Sequence, residues 1–341
     1  MKKTLILTVA ALLAMVACNK IETPSNDAGK VELSFMPMTG NVATRGFTLK
    51  REFQYVEYSS TGAVVGDPTF RDMNISAYLY PQDGEPRNYF VNKSFKHASD
   101  GDFWRCGGSA GSDMIFWPVG GTLDFLAYSS IYGGVTASWN ADNAASEVVL
   151  DVPAESSQDD ILFASAYGKE APHSAAPVPM VFKHAQAWLT FSLGANEGPD
   201  NSFIVTLKRI ELENVYNAGV LTINNNNGDA LATWDFSKET RQDIDVDNDS
   251  VSALGHKKQF LHMLIPQQEK TAFVIYYTLG DSDTELSYRF TTDQKTWLMG
   301  EHYTYNISIT PQEVTVDPTV TPWVKGDASD INAQTDHGVI Y

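Results

Sequence analysis

Asp243, Asp245, Asp247 and Asp249 form the densest run of chemistry-bearing side chains in the sequence. Alternation would place all four carboxylates on one strand face, or in a loop whose oxygens could cradle calcium. An EF-hand is excluded, because its sixth position would be Asn248 rather than Gly and its twelfth Leu254 rather than Glu. A solvated acidic loop is the better reading. The seven histidines are scattered, and the closest pair, His256 and His262, is spaced too widely to chelate one metal. Hydrolysis would require paired carboxylates or a nucleophile with its base, and no spacing in the chain supplies either. The sequence therefore predicts a protein that is not an enzyme and holds no cofactor or metal. Cys106, inside Phe103-Trp104-Arg105-Cys106-Gly107-Gly108, reads as a buried, inert thiol. Of the seven tryptophans, Trp117 and Trp188 sit in core-like contexts. Trp104, Trp139 and Trp234 lie near loops and are the candidates for stacking on a sugar ring.

The second cysteine has a different setting. Lys2 and Lys3 precede the apolar run Leu5–Met15, and Met15-Val16-Ala17 leads directly to Cys18. The run is too short to span a bilayer and reads as a cleaved signal over residues 1–17. A cysteine placed directly behind it resembles a bacterial lipobox, which implies acylation of Cys18 and attachment to the outer membrane through lipid. Acyl chains at one residue suffice for stable anchoring without a basic patch. Residues 18–30 are polar, with Pro24, Ser25, Asn26 and Gly29, and form a tether.

The remainder must fold without disulfides. The chain has 341 residues, enough for two ordinary domains, with 24 Lys+Arg against 42 Asp+Glu and a formal net charge of −18. That balance argues against nucleic acid as a partner and against electrostatic docking on anionic lipid. The dominant pattern is period two. Val31, Leu33 and Phe35 alternate with Glu32 and Ser34, and Met73, Ile75, Ala77 and Leu79 with Asn74, Ser76 and Tyr78, while Leu123, Phe125 and Ala127 form another such face. Ala187–Leu193, Phe273–Leu279 and Tyr303–Ile309 repeat the pattern. Each such run predicts a strand with one buried face. Turn signals such as Pro81-Gln82-Asp83-Gly84 and Gly198-Pro199-Asp200-Asn201 separate them, which predicts antiparallel β-sandwiches. Prolines between Gly168 and Pro179 predict a boundary, giving sandwiches over 31–179 and 180–310 and an extended tail over 311–341.

Several segments then suggest a family. Phe116-Trp117-Pro118-Val119-Gly120-Gly121 continues into Thr122–Tyr128, and Gln158–Ala164 follows with Asp160-Ile161-Leu162-Phe163-Ala164. Next come Val181-Phe182-Lys183-His184-Ala185-Gln186-Ala187, Ile210–Tyr216 with Gly219-Val220-Leu221, Leu264-Ile265-Pro266-Gln267, and Gly300–Ile307. In this order, behind a lipobox, they resemble the fimbrillin-like proteins, subunits of type V pili of anaerobic gut and oral bacteria. The resemblance implies an all-β chain of two tandem transthyretin-like antiparallel β-sandwiches. It also implies a surface-located adhesive or structural subunit with other fimbrial subunits as partners, and a host or bacterial surface as a further ligand.

The resemblance further implies a maturation route. An arginine- or trypsin-type protease cuts a loop, the first strand leaves, and a strand of the next subunit enters the vacated groove. The matching site is Arg45-Gly46, directly behind the expected strand Val31–Met38, and the expected donor lies in Glu313–Tyr341. The rival reading is a surface glycan-binding lipoprotein of a polysaccharide-uptake system, using the loop tryptophans.

Overall fold

Period-two patterning produces strands throughout: among its described residues the computed structural model has twenty strands and no α-helix. Those residues are 31–39, 72–98, 101, 103–108, 113–129, 135–138, 147–154, 160–172, 175–195, 205–224, 231–247, 251–252, 258–267, 269–280, 282–292, 296–310 and 312–322.

The first unit is a closed barrel. Its strands are β1 (Phe35–Thr39), β2 (Met73–Tyr80), β3 (Arg87–His97), β4 (Trp104–Cys106), β5 (Thr122–Ser129), β8 (Leu162–Lys169) and β9 (Val178–His184), in the order β1-β4-β3-β2-β5-β8-β9. Met73, Ile75, Ala77, Leu79, Leu123, Phe125 and Ala127 all point into its core, as their alternation requires. The boundary expected at 179/180 falls inside β9. Pro177 and Pro179 do not break this strand, because Val178 donates its N–H to the Ser34 carbonyl at 2.8 Å and Pro179, one residue on, turns its nitrogen away from β1. On that other side β9 meets β8 only at Lys183 and His184, well beyond the proline.

A second correction concerns independence. β6 (Thr136–Ser138) and β7 (Glu147–Val152) leave the barrel and join β12 (Gly219–Asn224) and β13 (Leu231–Asp235) in one sheet, ordered β13-β12-β7-β6. β7 and β12 pair antiparallel from Glu147↔Asn224 to Val152↔Gly219. Strands from both halves of the sequence therefore share a sheet. It covers the outer face of β5 and β8, where Leu126, Tyr128, Ile161 and Phe163 meet Val148, Leu150, Leu221 and Ile223. This is why Phe125-Leu126-Ala127-Tyr128 of β5 is continuously apolar: both faces of the strand are buried.

The remaining strands form a two-sheet sandwich. β10 (Ala187–Ala195), β16 (Lys258–Leu264), β19 (Glu301–Ile309) and β20 (Val314–Pro322) make one sheet, ordered β16-β10-β19-β20. β11 (Val205–Val215), β14 (Gln242–Asp247), β15 (Val251–Ser252), β17 (Ala272–Leu279) and β18 (Leu286–Thr291) make the other. Phe191, Phe273 and Tyr305 pack together between them, and Trp297 donates its indole N–H to the Tyr305 hydroxyl at 2.7 Å. The first part of the expected tail is thus a strand of this sheet, while residues 323–341 lie outside the described residues.

A tight seam joins barrel to sandwich at Ala185-Gln186. Ala185 donates to the Ile161 carbonyl at 2.8 Å, and Ile161 N–H donates back to the Gln186 side-chain oxygen at 3.0 Å. Gly300 donates to the Gln186 carbonyl and Trp234 to the Ala185 carbonyl, each at 2.8 Å. His184 is fixed to Asp160 at 2.8 Å. The Phe-Lys-His-Ala-Gln-Ala segment is therefore a junction in which His184, Ala185 and Gln186 are each tied to a neighbouring element.

His262 of β16 faces the sandwich core opposite Leu189, and burial pushes its imidazole down to about 4. The unfolded chain takes up this proton near 6.5, so the contribution of neutral His262 is full above that pH and is lost as pH falls toward 4. We expect up to about 3 kcal/mol of stability to disappear across that window. Urea titrations from pH 7 to pH 4 check it: His262→Leu removes this part of the acid dependence.

Candidate functional site: the seat of the first strand

The segment before β1 enters the barrel wall before β1 itself completes it. Leu33 donates to the Ile115 carbonyl at 2.7 Å and Trp117 donates to the Val31 carbonyl at 3.0 Å, with Glu32 bridged to Phe116. Phe35 then pairs with Trp104 of β4, and Phe35–Thr39 run parallel to Val178–Phe182 of β9. The strand is thus hydrogen-bonded along both edges.

The Phe-Trp-Pro-Val-Gly-Gly segment supports one of those edges. Trp117 is buried edge-on to Phe125 at 5.9 Å, while the chain reverses at Gly120 and Gly121, both at positive φ. A Cβ on Gly121 would stand 2.4 Å from the Tyr80 carbonyl oxygen, so only glycine fits there.

Leu33 and Phe35 are fully buried, and Val31 packs at the margin of the same core. The Phe35 ring meets Phe95 at 4.8 Å and Phe125 at 5.0 Å, both edge-to-face. On the opposite face Glu32 reaches Arg105, with 3.4 Å between Oε1 and Nε. The Arg105 side chain is only 6% exposed and its guanidinium lies 4.8 Å above the Phe103 ring. A charge this deeply placed gains most from a partner of opposite sign.

At the far end of the chain β20 lies antiparallel to β19 from Val314↔Ile309 to Pro322↔Glu301. Its lead-in is a hydroxyl-closed turn: Thr310 Oγ1 accepts from the backbone N–H of Glu313 at 3.0 Å and of Gln312 at 3.2 Å. Val314, Val316 and Val320 are half-buried against the sandwich core, and the residues between them are exposed.

The residues singled out from the sequence fare differently. Cys18, Arg45, Gly46 and Trp139 lie outside the described residues. Trp104 is a correction: it is 9% exposed, packed in the barrel core and edge-on to His97, so its faces are covered by protein. Trp234 is half-buried, with its ring parallel to Phe236 and its N–H committed to the seam. Trp188, expected at a core or interface position, is half-buried and lies at 4.2 Å from His302, stacked ring on ring. Cys106 is buried in the barrel, and that burial pushes its thiol up. Asp243 accepts a hydrogen bond from the Asn214 N–H at 2.8 Å, which holds the positive-φ Asn214 in place. Among the described residues no group of three or more His, Cys, Asp or Glu could hold a metal ion.

The Glu32–Arg105 pair and the shared sheet were not anticipated. The pair had a sequence signal, since a period-two strand through Trp104 and Cys106 turns Arg105 to the opposite face. The shared sheet had none, because pairing between residues 147–152 and 219–224 leaves no local mark.

The family model for fimbrillin-like proteins matches residues 61–323. Among solved structures, a fimbrial protein from Bacteroides vulgatus shares 16% identity at a TM-score of 0.53, covering 86% of this chain and 99% of its own. Candidate cell adhesion proteins from Bacteroides ovatus (15%, TM-score 0.52, 89% and 100% covered) and Bacteroides uniformis (19%, TM-score 0.50, 87% and 100% covered) have the same fold. No curated protein matches the chain.

The seating of Phe35 makes a quantitative expectation. Phe35→Ala would leave a cavity between Phe95 and Phe125 and cost about 3–5 kcal/mol. Thermal or urea unfolding of the full chain measures it, with Met36→Ala, at a half-buried position, as the milder comparison.

Proposed function

Because the chain belongs to the fimbrillin-like family, we propose that it is a structural and adhesive subunit of fimbriae, exported as a lipoprotein precursor and assembled by strand exchange. The observation that carries this reading is the double-edged seating of β1. Withdrawing that strand would open the barrel between β9 and β4 and expose an apolar groove rimmed by backbone N–H and C=O groups. A strand from another subunit satisfies both, with main-chain hydrogen bonds for affinity and side-chain pockets for register. Donation from head to tail does not close on itself and so gives a filament.

The trigger is cleavage at Arg45-Gly46, between β1 and the rest of the barrel. Acylation of Cys18 holds the precursor at the outer membrane until then, and the fimbrium at the cell surface is the destination. Catalysis has no place in this scheme. The glycan-binding rival loses support from the burial of Trp104 and the packing of Trp234.

Two substitutions test the route. Arg45→Ala should remain monomeric after treatment with an arginine-specific protease, while the parent forms ladders on native gels. Ladders of equal yield from Arg45→Ala would refute cleavage at this site. Cys18→Ala should lose metabolic labelling by a fatty-acid analogue and appear in the soluble fraction; undiminished label would refute lipidation at Cys18.

A further inference from the structure

The first strand and the last share a residue pattern. Glu32-Leu33-Ser34-Phe35-Met36-Pro37 and Glu313-Val314-Thr315-Val316-Asp317-Pro318 both read acid, apolar, hydroxyl, apolar, any, proline. The opening Glu-Leu-Ser-aromatic occurs again at Glu285–Tyr288, but it continues without proline, and Arg289 there is fixed to Glu213 at 2.6 Å. Resting on the strand-exchange reading above, we infer that residues Glu313–Val320 of a second copy of this chain occupy the β1 seat in one register, with Glu313 facing Arg105 and Val316 in the place of Phe35.

Three features of the two strands agree on that register. The apolar phase comes first. Leu33 and Phe35 point into the barrel core, and Val314 and Val316 point into the sandwich core, so the same alternate residues face inward in either seat.

The backbone phase is the second. Because Val178 donates to the Ser34 carbonyl, Ser34, Met36 and Met38 turn their polar backbone groups to β9, and Pro37 turns its nitrogen away. In β20, Pro318 and Pro322 have no N–H for β19, so Thr315, Asp317 and Thr319 supply the bonds while the prolines face outward. Transfer from β19 to β9 therefore uses the same backbone groups of the donor. A shift by one residue would aim Pro318 at β9 and turn both valines out of the core.

The third feature is charge, which excludes shifts of two. Arg105 is the cation beside the groove in contact with Glu32, and only one register brings Glu313 to that point. Shifts of two residues would bring Pro311 or Thr315 there instead. The fit also has a direction. Val316 fills less of the pocket between Phe95 and Phe125 than Phe35 does, so the resident strand outcompetes the donor until it is cut free.

Cross-linking tests the register directly. Met36 pairs with Pro179, which is exposed, so Asp317 of the donor would lie opposite Pro179 of the acceptor. Full-length Asp317→Cys and Pro179→Cys chains, mixed and treated with arginine-specific protease, should form a disulfide-linked dimer under mild oxidation. Thr315→Cys or Thr319→Cys in place of Asp317→Cys should not. Glu313→Gln should weaken assembly by about 30-fold, the least expected from removing one partner of a buried charge pair, and Val316→Phe should strengthen it. Ladders that form with the cross-link at a shifted position, or that ignore both Glu313→Gln and Val316→Phe, overturn the register while strand exchange stands. Absence of any cleaved assembly in the parent overturns both.

Discussion

Closure of the first barrel rests on one parallel pairing, that of β1 on β9. Neither neighbour of β1 is joined to it by a hairpin: β9 and β4 both lie far along the chain. The other six strands form an unbroken hydrogen-bonded run, β4-β3-β2-β5-β8-β9. Losing β1 would therefore cost two edges and part of a core, but would break no other pairing. Any one strand could leave a closed ring with the rest still paired in a row, but β1 has no hairpin to either neighbour and can therefore leave without dragging another strand with it.

The same strand that receives β1 also leads into the sandwich. β9 is paired with β1 at five positions and with β8 at two, and it runs on through His184 into Ala185-Gln186. The occupant of the groove thus supplies most of what holds β9 in the wall. At its other end β9 is anchored by the Asp160 contact and by the seam bonds to Ile161. The sheet shared through β7 and β12 reinforces that anchor, since its own core includes Ala185 and its Trp234 bonds to the Ala185 carbonyl. Change at the groove therefore falls on Val178–Phe182 of β9, while the junction between units is braced independently.

Much of this was legible in the residues. The alternation of Met73–Leu79 and Tyr303–Ile309 specified both strand and inward face, because period two leaves one solution when a face is buried. Leu33 and Phe35 were read into the first core on the same grounds, and the structure has them there. What escaped is what local pattern does not encode. Pro177 and Pro179 looked like strand breakers because a proline's cost depends on which edge its nitrogen faces, and that is set by partners distant in sequence. Trp104 looked like a loop residue free to bind, because a tryptophan near a loop gives no sign of which neighbours cover its ring.

Proline, misleading one residue at a time, becomes informative once the strands are in place. Pro37 points away from β9, and on that side β1 is paired at Phe35 and, among the described residues, not beyond. Pro179 points away from β1, toward a stretch of β9 that β8 does not reach. Pro318 and Pro322 point away from β19, along the outer edge of the sandwich. In each case the missing N–H falls where, among the described residues, no strand pairs. For β20 this has a consequence beyond tolerance. Its outer edge lacks donors at two of every four outward positions between 316 and 322, so a further strand adding there would leave carbonyls of its own without partners. The edge of β20 is thereby closed to stacking, although its inner edge and valine face remain suited to a groove. A strand blunted on one side and complementary on the other can pass from one seat to another, yet it cannot nucleate a sheet that grows sideways.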